Sequence, residues 1–159
     1  MTRHRLPTLV APVVAAALVA LSAWLLWDGS VRRDAETAGT EAVAAARDAI
    51  VAMGSYRPDT AEKNLTAAGD LLTGAFRDSF TQAAQTVAIP TATQKAVSSE
   101  VSVPAAGVIS AQSGRAVLLA YVDQTLTVGS EPPQSNPARY RVTMQKVDGR
   151  WLVAGFDQI

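Results

Sequence analysis

Hydrophobic residues along this chain fall into three successive patterns. The first is unbroken: Leu9–Trp27, LVAPVVAAALVALSAWLLW, runs nineteen residues without a charge, with Arg3 and Arg5 before it and Asp28 after it. At ~1.5 Å per residue such a helix is roughly 28 Å long, close to the ~30 Å hydrocarbon core of a bilayer. No water reaches backbone groups there, so the run predicts a membrane-spanning helix. Pro12 falls in its first turn, where a missing N–H costs little. Trp24 and Trp27 fall at its far end, where indoles prefer the lipid–water boundary. A cleaved signal peptide would need a small-x-small site, but Leu21-Ser22-Ala23 is followed by more of the apolar run. An uncleaved signal anchor is therefore expected, with residues 1–8 as a cytoplasmic tail and everything from Asp28 onward outside the membrane. Arg32 and Arg33 on the far side weigh against that orientation, although a short tail ordinarily stays inside.

The second pattern has a period near 3.6. Asp34–Met53 places Ala35, Ala38, Ala42, Val43, Ala46, Ile50 and Met53 at three- and four-residue steps, an amphipathic helix with a narrow, mostly small apolar stripe. Gly39 weakens its start, so residues 28–37 are assigned to a stalk and 38–159 to a folded domain. GSYRPD at Gly54–Asp59 breaks the helix. Asp59 with Glu62 reads as a capping box opening a short helix that carries Ala61, Leu65, Ala68 and Leu72. After Thr73-Gly74, Phe76, Phe80 and Val87 mark a third helix, expected to end before Pro90.

Beyond Pro90 the period drops to two. Val97, Val101 and Val103 alternate with polar residues, and Pro104 implies a bulge or an edge position. Ser113-Gly114 turns into Arg115–Val128, apolar on both faces in its first half and so expected to be central and covered on both sides. Gly129–Pro137 reads as a loop, Ala138–Val147 as a strand, and Asp148-Gly149 as a two-residue hairpin turn into a last strand from Arg150. Helices followed by a curved antiparallel sheet make an α+β domain.

Charge and composition narrow the function. Arg3 and Arg5 account for two of the 14 basic side chains, so the part from Asp28 onward carries 12 against 14 acidic groups, formally −2. A near-neutral domain without basic clusters offers no footing for nucleic acid. The only histidine is His4 and cysteine is absent, which removes Ser–His and Cys–His nucleophiles and thiolate metal sites from the domain. No Gly-rich phosphate loop is present. No cofactor, metal or catalytic residue is assigned.

Five residues stand out as candidates for a pocket or an interface. Asp123 shares strand parity with Val117, Leu119 and Tyr121, so it would be the general base if the strand's pocket side ran that way; equally, the strand has left the core by Asp123-Gln124-Thr125. Trp151, just after the hairpin turn, is a ligand-stacking aromatic or the plug of the core. Tyr56 lines a pocket mouth or staples the inter-helix loop to the sheet. Arg139 and Arg141, with Lys146 beyond, form a partner or lipid-headgroup patch or guard a strand edge.

The chain resembles the Mce-associated membrane proteins of mycobacteria and related actinobacteria. The likeness is carried by the anchor, the Ala/Arg-rich helix, Ser55-Tyr56, Leu71–Phe76, Val122–Thr125 and, above all, Arg141–Met144 followed by Val147–Val153. It implies a cone-shaped α+β domain resembling nuclear transport factor 2, held outside the membrane. It also implies an accessory role beside Mce transporters that move lipids or sterols, with transporter subunits as partners. The family has no established catalytic residues to carry over. The expected function is a non-catalytic, membrane-anchored accessory protein; the alternative is a pocket that binds a small hydrophobic ligand or performs acid–base chemistry.

Overall fold

The computed structural model describes residues 34–159. The predicted membrane span and the cytoplasmic tail lie outside the described residues. Among the described residues no helix is long and apolar enough to cross a membrane.

Helix α1 is helical from residue 34 to residue 54. Its stripe of Ala38, Ala42, Ala46, Ala49 and Ile50 is buried, and the small side chains let the helix lie close on the sheet. Gly39 sits within the helix, in contact with the sheet: a Cβ there would lie 3.1 Å from Val108 Cγ2. Helix α2 (Ala61–Ala68) buries Ala61, Leu65 and Ala68, and a 3₁₀ turn follows at Gly69–Leu71. The expected capping box does not form. Thr60 is the N-cap, with no side-chain cap bond; its Oγ1 instead accepts from the Arg57 N–H and from Asn64 Nδ2.

Helix α3 (Gly74–Ala83) runs through a π-helical turn at Ala84–Ala88 into α4 (Ile89–Lys95). The chain therefore stays helical past Pro90 rather than ending before it. A proline ring clashes with the carbonyl four residues back, and a widened turn ahead of it relieves that clash. The left-handed Ala96 closes α4. Val87 is exposed, since the wide turn rotates it away from the core.

The sheet consists of β1 (Val97–Gln112), β2 (Arg115–Val128), β3 (Gln134–Val147) and β4 (Arg150–Gln158), antiparallel in the order β1-β2-β3-β4. Strand β1 carries two register shifts, one spanning Val103-Pro104 as Pro104 implied and one at Ile109. The Asp148-Gly149 turn has positive φ at both residues, the geometry a tight hairpin requires. Strand β3 starts at Gln134, so part of the expected loop is paired: Pro137 faces Asp123 of β2, beyond the point where β4 stops pairing at Tyr140. A proline is tolerated there because that stretch is locally an edge.

Helices α1 and α3 cover one face, while α2 packs on α4. Ala116, Leu118, Ala120 and Val122 of β2, Val142 and Met144 of β3, and Trp151 and Val153 of β4 are buried beneath them with Leu72. Strand β2 is interior as expected, but it is not covered on both faces: Val117 and Leu119 are half-buried and Tyr121 is 45 % exposed. In β4, a bulge at Ala154 pairs Met144 with Val153 but Thr143 with Gly155. Phe156, not Gly155, consequently continues the buried face begun by Trp151 and Val153.

Candidate functional site

A concave feature with mostly apolar walls lies between the C-terminal half of α1, helix α3 and the open end of the sheet's covered face. It is a groove of about 420 Å³ walled by Ile50, Met53, Phe76, Phe80, Val101, Val122, Tyr140 and Phe156. Tyr140 stacks on Phe156 with ring centroids 4.1 Å apart, and Phe76 leans on Phe156 at 6.5 Å. Helix α3 contributes no fully buried residue, so its two phenylalanines stand half-exposed as one wall. Polar side chains in its lining are Ser79, Gln124, Asn136 and, by its phenol, Tyr140. Among the described residues, no carboxylate, histidine, lysine or arginine lines the groove.

Asp123 is not part of it. Strand β2 alternates without a break, and Val122 and Gln124 line the groove, so the Asp123 side chain projects from the opposite, uncovered face with Tyr121 and Leu119. The sequence left the two faces of β2 undecided because both are apolar; helix coverage selects Ala116–Val122. Arg139 and Arg141 share the uncovered face, in register with Tyr121 and Leu119, and both are exposed. Arg141 lies opposite Asp157 of β4 and so guards no edge, whereas Arg139 stands where β4 ends. Lys146 belongs to the other face, so the three cations form no common patch.

Tyr56 acts through its backbone. Its N–H donates to the Ser99 carbonyl (2.9 Å) and its carbonyl accepts from the Ser99 N–H (2.8 Å). The Val101 N–H donates to Ser55 Oγ at 3.0 Å, and Gln124 Nε2 donates to buried Ser99 Oγ at 3.0 Å. This bridge fixes the end of α1 to β1 at one rim of the groove. Burial raises the Tyr56 phenol above its ordinary value.

Trp151 is buried at 8 % exposure and plugs the core rather than lining the groove. Its indole N–H donates to Glu41 Oε2 at 3.0 Å, the same oxygen that accepts from Lys146 Nζ at 2.8 Å. Lys146 also lies 5.5 Å from the indole centroid. One carboxylate of α1 thus ties the helix to both strands of the β3–β4 hairpin. Glu41 was not among the sequence candidates; it is one of four acids on α1, with Asp34, Glu36 and Asp48, and nothing in the sequence singles it out. Arg47 was missed likewise: its Nη1 donates to the Val103 carbonyl at 2.8 Å, at the bulge ahead of Pro104.

The hydrogen bonds from Lys146 and Trp151 hold the Glu41 carboxyl below its ordinary value. A group depressed in the folded state contributes stability that is complete above its unfolded pKa and lost as pH falls through the folded one. The α1–hairpin contact should therefore loosen on acidification through and below the ordinary carboxylate range. Unfolding titrations of Glu41→Gln against wild type should show it, the variant having the flatter acid limb; identical limbs would contradict it.

Among the described residues, no group of three or more His, Cys, Asp or Glu side chains is placed to hold a metal ion.

Comparison with known proteins places these features in context. The family model described as "Uncharacterized protein Rv1363c/MT1408-like" matches residues 5–156. "Outer membrane protein Rv1973" of Mycobacterium tuberculosis is 42 % identical over 148 residues, which cover 93 % of this chain and 92 % of that protein. Among solved structures, an IcmL-like type IV secretion system protein from Legionella pneumophila superposes with a TM-score of 0.63 at 8 % identity, covering 74 % of this chain and 88 % of that one. The Agrobacterium tumefaciens VirB8 protein superposes with a TM-score of 0.58 at 18 % identity, covering 73 % and 88 %. At such identities the structural likeness shows the fold: helices packed on a four-stranded antiparallel sheet.

Proposed function

The chain belongs to the Rv1363c/MT1408-like family, and from that premise we propose that it is a non-catalytic, single-pass membrane protein. Its extracytoplasmic domain supports a larger envelope assembly, and the assembly we assign is an Mce-type lipid or sterol transporter. The observation that carries the non-catalytic reading is the groove itself, whose walls are mostly apolar and whose polar side chains are two amides, a serine hydroxyl and the Tyr140 phenol. General acid–base chemistry needs a titratable group within hydrogen-bond reach of the substrate, and the only titratable side chain among the described residues of the groove is Tyr140, whose phenol ordinarily ionises far above neutral pH. The anchor rests on the uncharged run Leu9–Trp27. The name of the mycobacterial relative supports membrane association, and the secretion-system origin of the Legionella structure supports a role among protein partners. The Mce assignment rests on the sequence resemblance.

The groove also favours a second reading. A volume of about 420 Å³ falls within the ~300–1,000 Å³ range of small-molecule sites, and its walls suit a hydrophobic ligand.

The test is lipid uptake in native cells that lack the protein, complemented with wild type or Asp123→Asn. Equal restoration is expected, because Asp123 faces away from the groove. Losing a general base would cost ~10²–10⁴-fold; an Asp123→Asn chain that folds and reaches the membrane yet fails completely would return the function to pocket chemistry.

A further inference from the structure

The end of the sheet nearest the start of α1 carries an apolar tip that the core does not use. Val108 is 47 % exposed and Ile109 57 % exposed. The second register shift of β1 falls between Val108 and Ser110, leaving Ile109 without a partner on β2. A bulge re-aims a side chain in this way. The tip is held against the first half of α1, where the missing Cβ of Gly39 lets Val108 approach. The β1 segment around it is uncharged from Val101 to Gly114, while Arg115 and Arg150 stand at the adjoining turns.

Helix α1 is directed along the sheet. Glu41, in its first half, meets Lys146 and Trp151 beside the β3–β4 turn. Its last turn leads to Tyr56, which pairs with Ser99 at the opposite end. The turns joining β1 to β2 and β3 to β4 therefore share the end from which the chain leads back toward Leu9–Trp27. Only residues 28–33 separate Trp27 from the described helix. Six residues reach at most roughly 20 Å when fully extended. An anchor at Trp27 keeps this end of the domain close to a bilayer.

We propose that this end is a membrane-docking face, with Val108 and Ile109 seated in the lipid interface and the turn arginines Arg115 and Arg150 at headgroup level. This rests on the anchored reading above. Apolar side chains beside cations bind interfaces by buried area together with attraction to anionic lipid. The docked domain would point its groove, opening beside Gln124 and Asn136, away from the membrane.

The chain lacks cysteine, so single-cysteine variants of the full chain can be labelled with an environment-sensitive fluorophore. Val108→Cys, Ile109→Cys, Ser135→Cys and Ala17→Cys would be reconstituted in phosphatidylcholine–phosphatidylglycerol vesicles containing nitroxide-labelled lipid. Labels at 17, 108 and 109 should shift to the blue and lose emission to the nitroxide, and the label at 135, on the far end of β3, should do neither. If Ala17→Cys is quenched while 108 and 109 behave like 135, the docking face is wrong and the anchor stands. If 108 and 109 are blue-shifted yet unquenched, protein rather than lipid covers them, which also overturns the proposal. If Ala17→Cys is unquenched, the anchor fails and the docking face falls with it.

Discussion

Replacing Trp151 by alanine should destabilise the domain by about 3–5 kcal/mol, the usual cost of deleting a large buried side chain. The indole is 8 % exposed and sits with Val153, Met144 and the α1 alanines, residues too small or too fixed to fill the space it leaves. The substitution also removes one of the two donors to Glu41 Oε2. Trp151→Phe separates these contributions. It keeps most of the apolar volume and loses the N–H, whose partner is solvent-exposed, together with a small part of the ring, so it should cost well under the alanine change, about 1.5 kcal/mol or less. Urea denaturation followed by near-ultraviolet circular dichroism would measure both. A Trp151→Ala chain less than about 1 kcal/mol below wild type would mean that the side chain does not pack as the structure shows.

The second large effect concerns Gly54, the last residue of α1. A Cβ on Gly54 would lie 2.4 Å from Val101 Cγ2. Val101 is buried and β-branched, so its one favoured rotamer leaves it little room to move. Alanine would gain up to ~1 kcal/mol in helix propensity. Overpacking costs typically ~1–3 kcal/mol, so Gly54→Ala should be net destabilising, and it should disturb the neighbouring Tyr56–Ser99 bridge. Gly69→Ala is the matched control. Gly69 has ordinary helical dihedrals, and its nearest neighbour for a new Cβ is Thr81 Oγ1 at 3.6 Å, so the same change should be neutral or slightly stabilising there. Thermal midpoints of the two variants decide the matter: equal shifts would contradict the close approach at Gly54.

Much of this architecture was legible because two signals are strong in the sequence. The three- and four-residue spacing of small residues marked α1 and its buried face, alternation marked β1 and the second half of β3, and a run apolar on both faces marked β2. The hairpin turn was legible from Asp148-Gly149 alone. What escaped were features set by the neighbours of a segment. The π turn that carries the helix past Pro90 and the extra residue at Ala154 leave no periodic trace, and the latter turns Phe156 onto the groove side of β4. Both faces of β2 read as apolar, so parity alone could not say whether Asp123 faced the helices. Asn136 escaped because its segment is rich in turn-forming residues, yet β2 pairs with it. Trp151 was readable as a core plug, but its partner Glu41 lies 110 positions away in sequence.

The central claim, that this domain supports a lipid-transport assembly from a membrane anchor and performs no chemistry, is most directly tested by the transporter itself. Affinity-tagged full-length chain would be purified from native membranes, and Mce subunits quantified both in the eluate and in membranes lacking the protein. The subunits should co-purify, and their abundance should fall without the protein and be restored by wild type and by Asp123→Asn alike. Transporter subunits absent from the eluate and unchanged in abundance without the protein would contradict it.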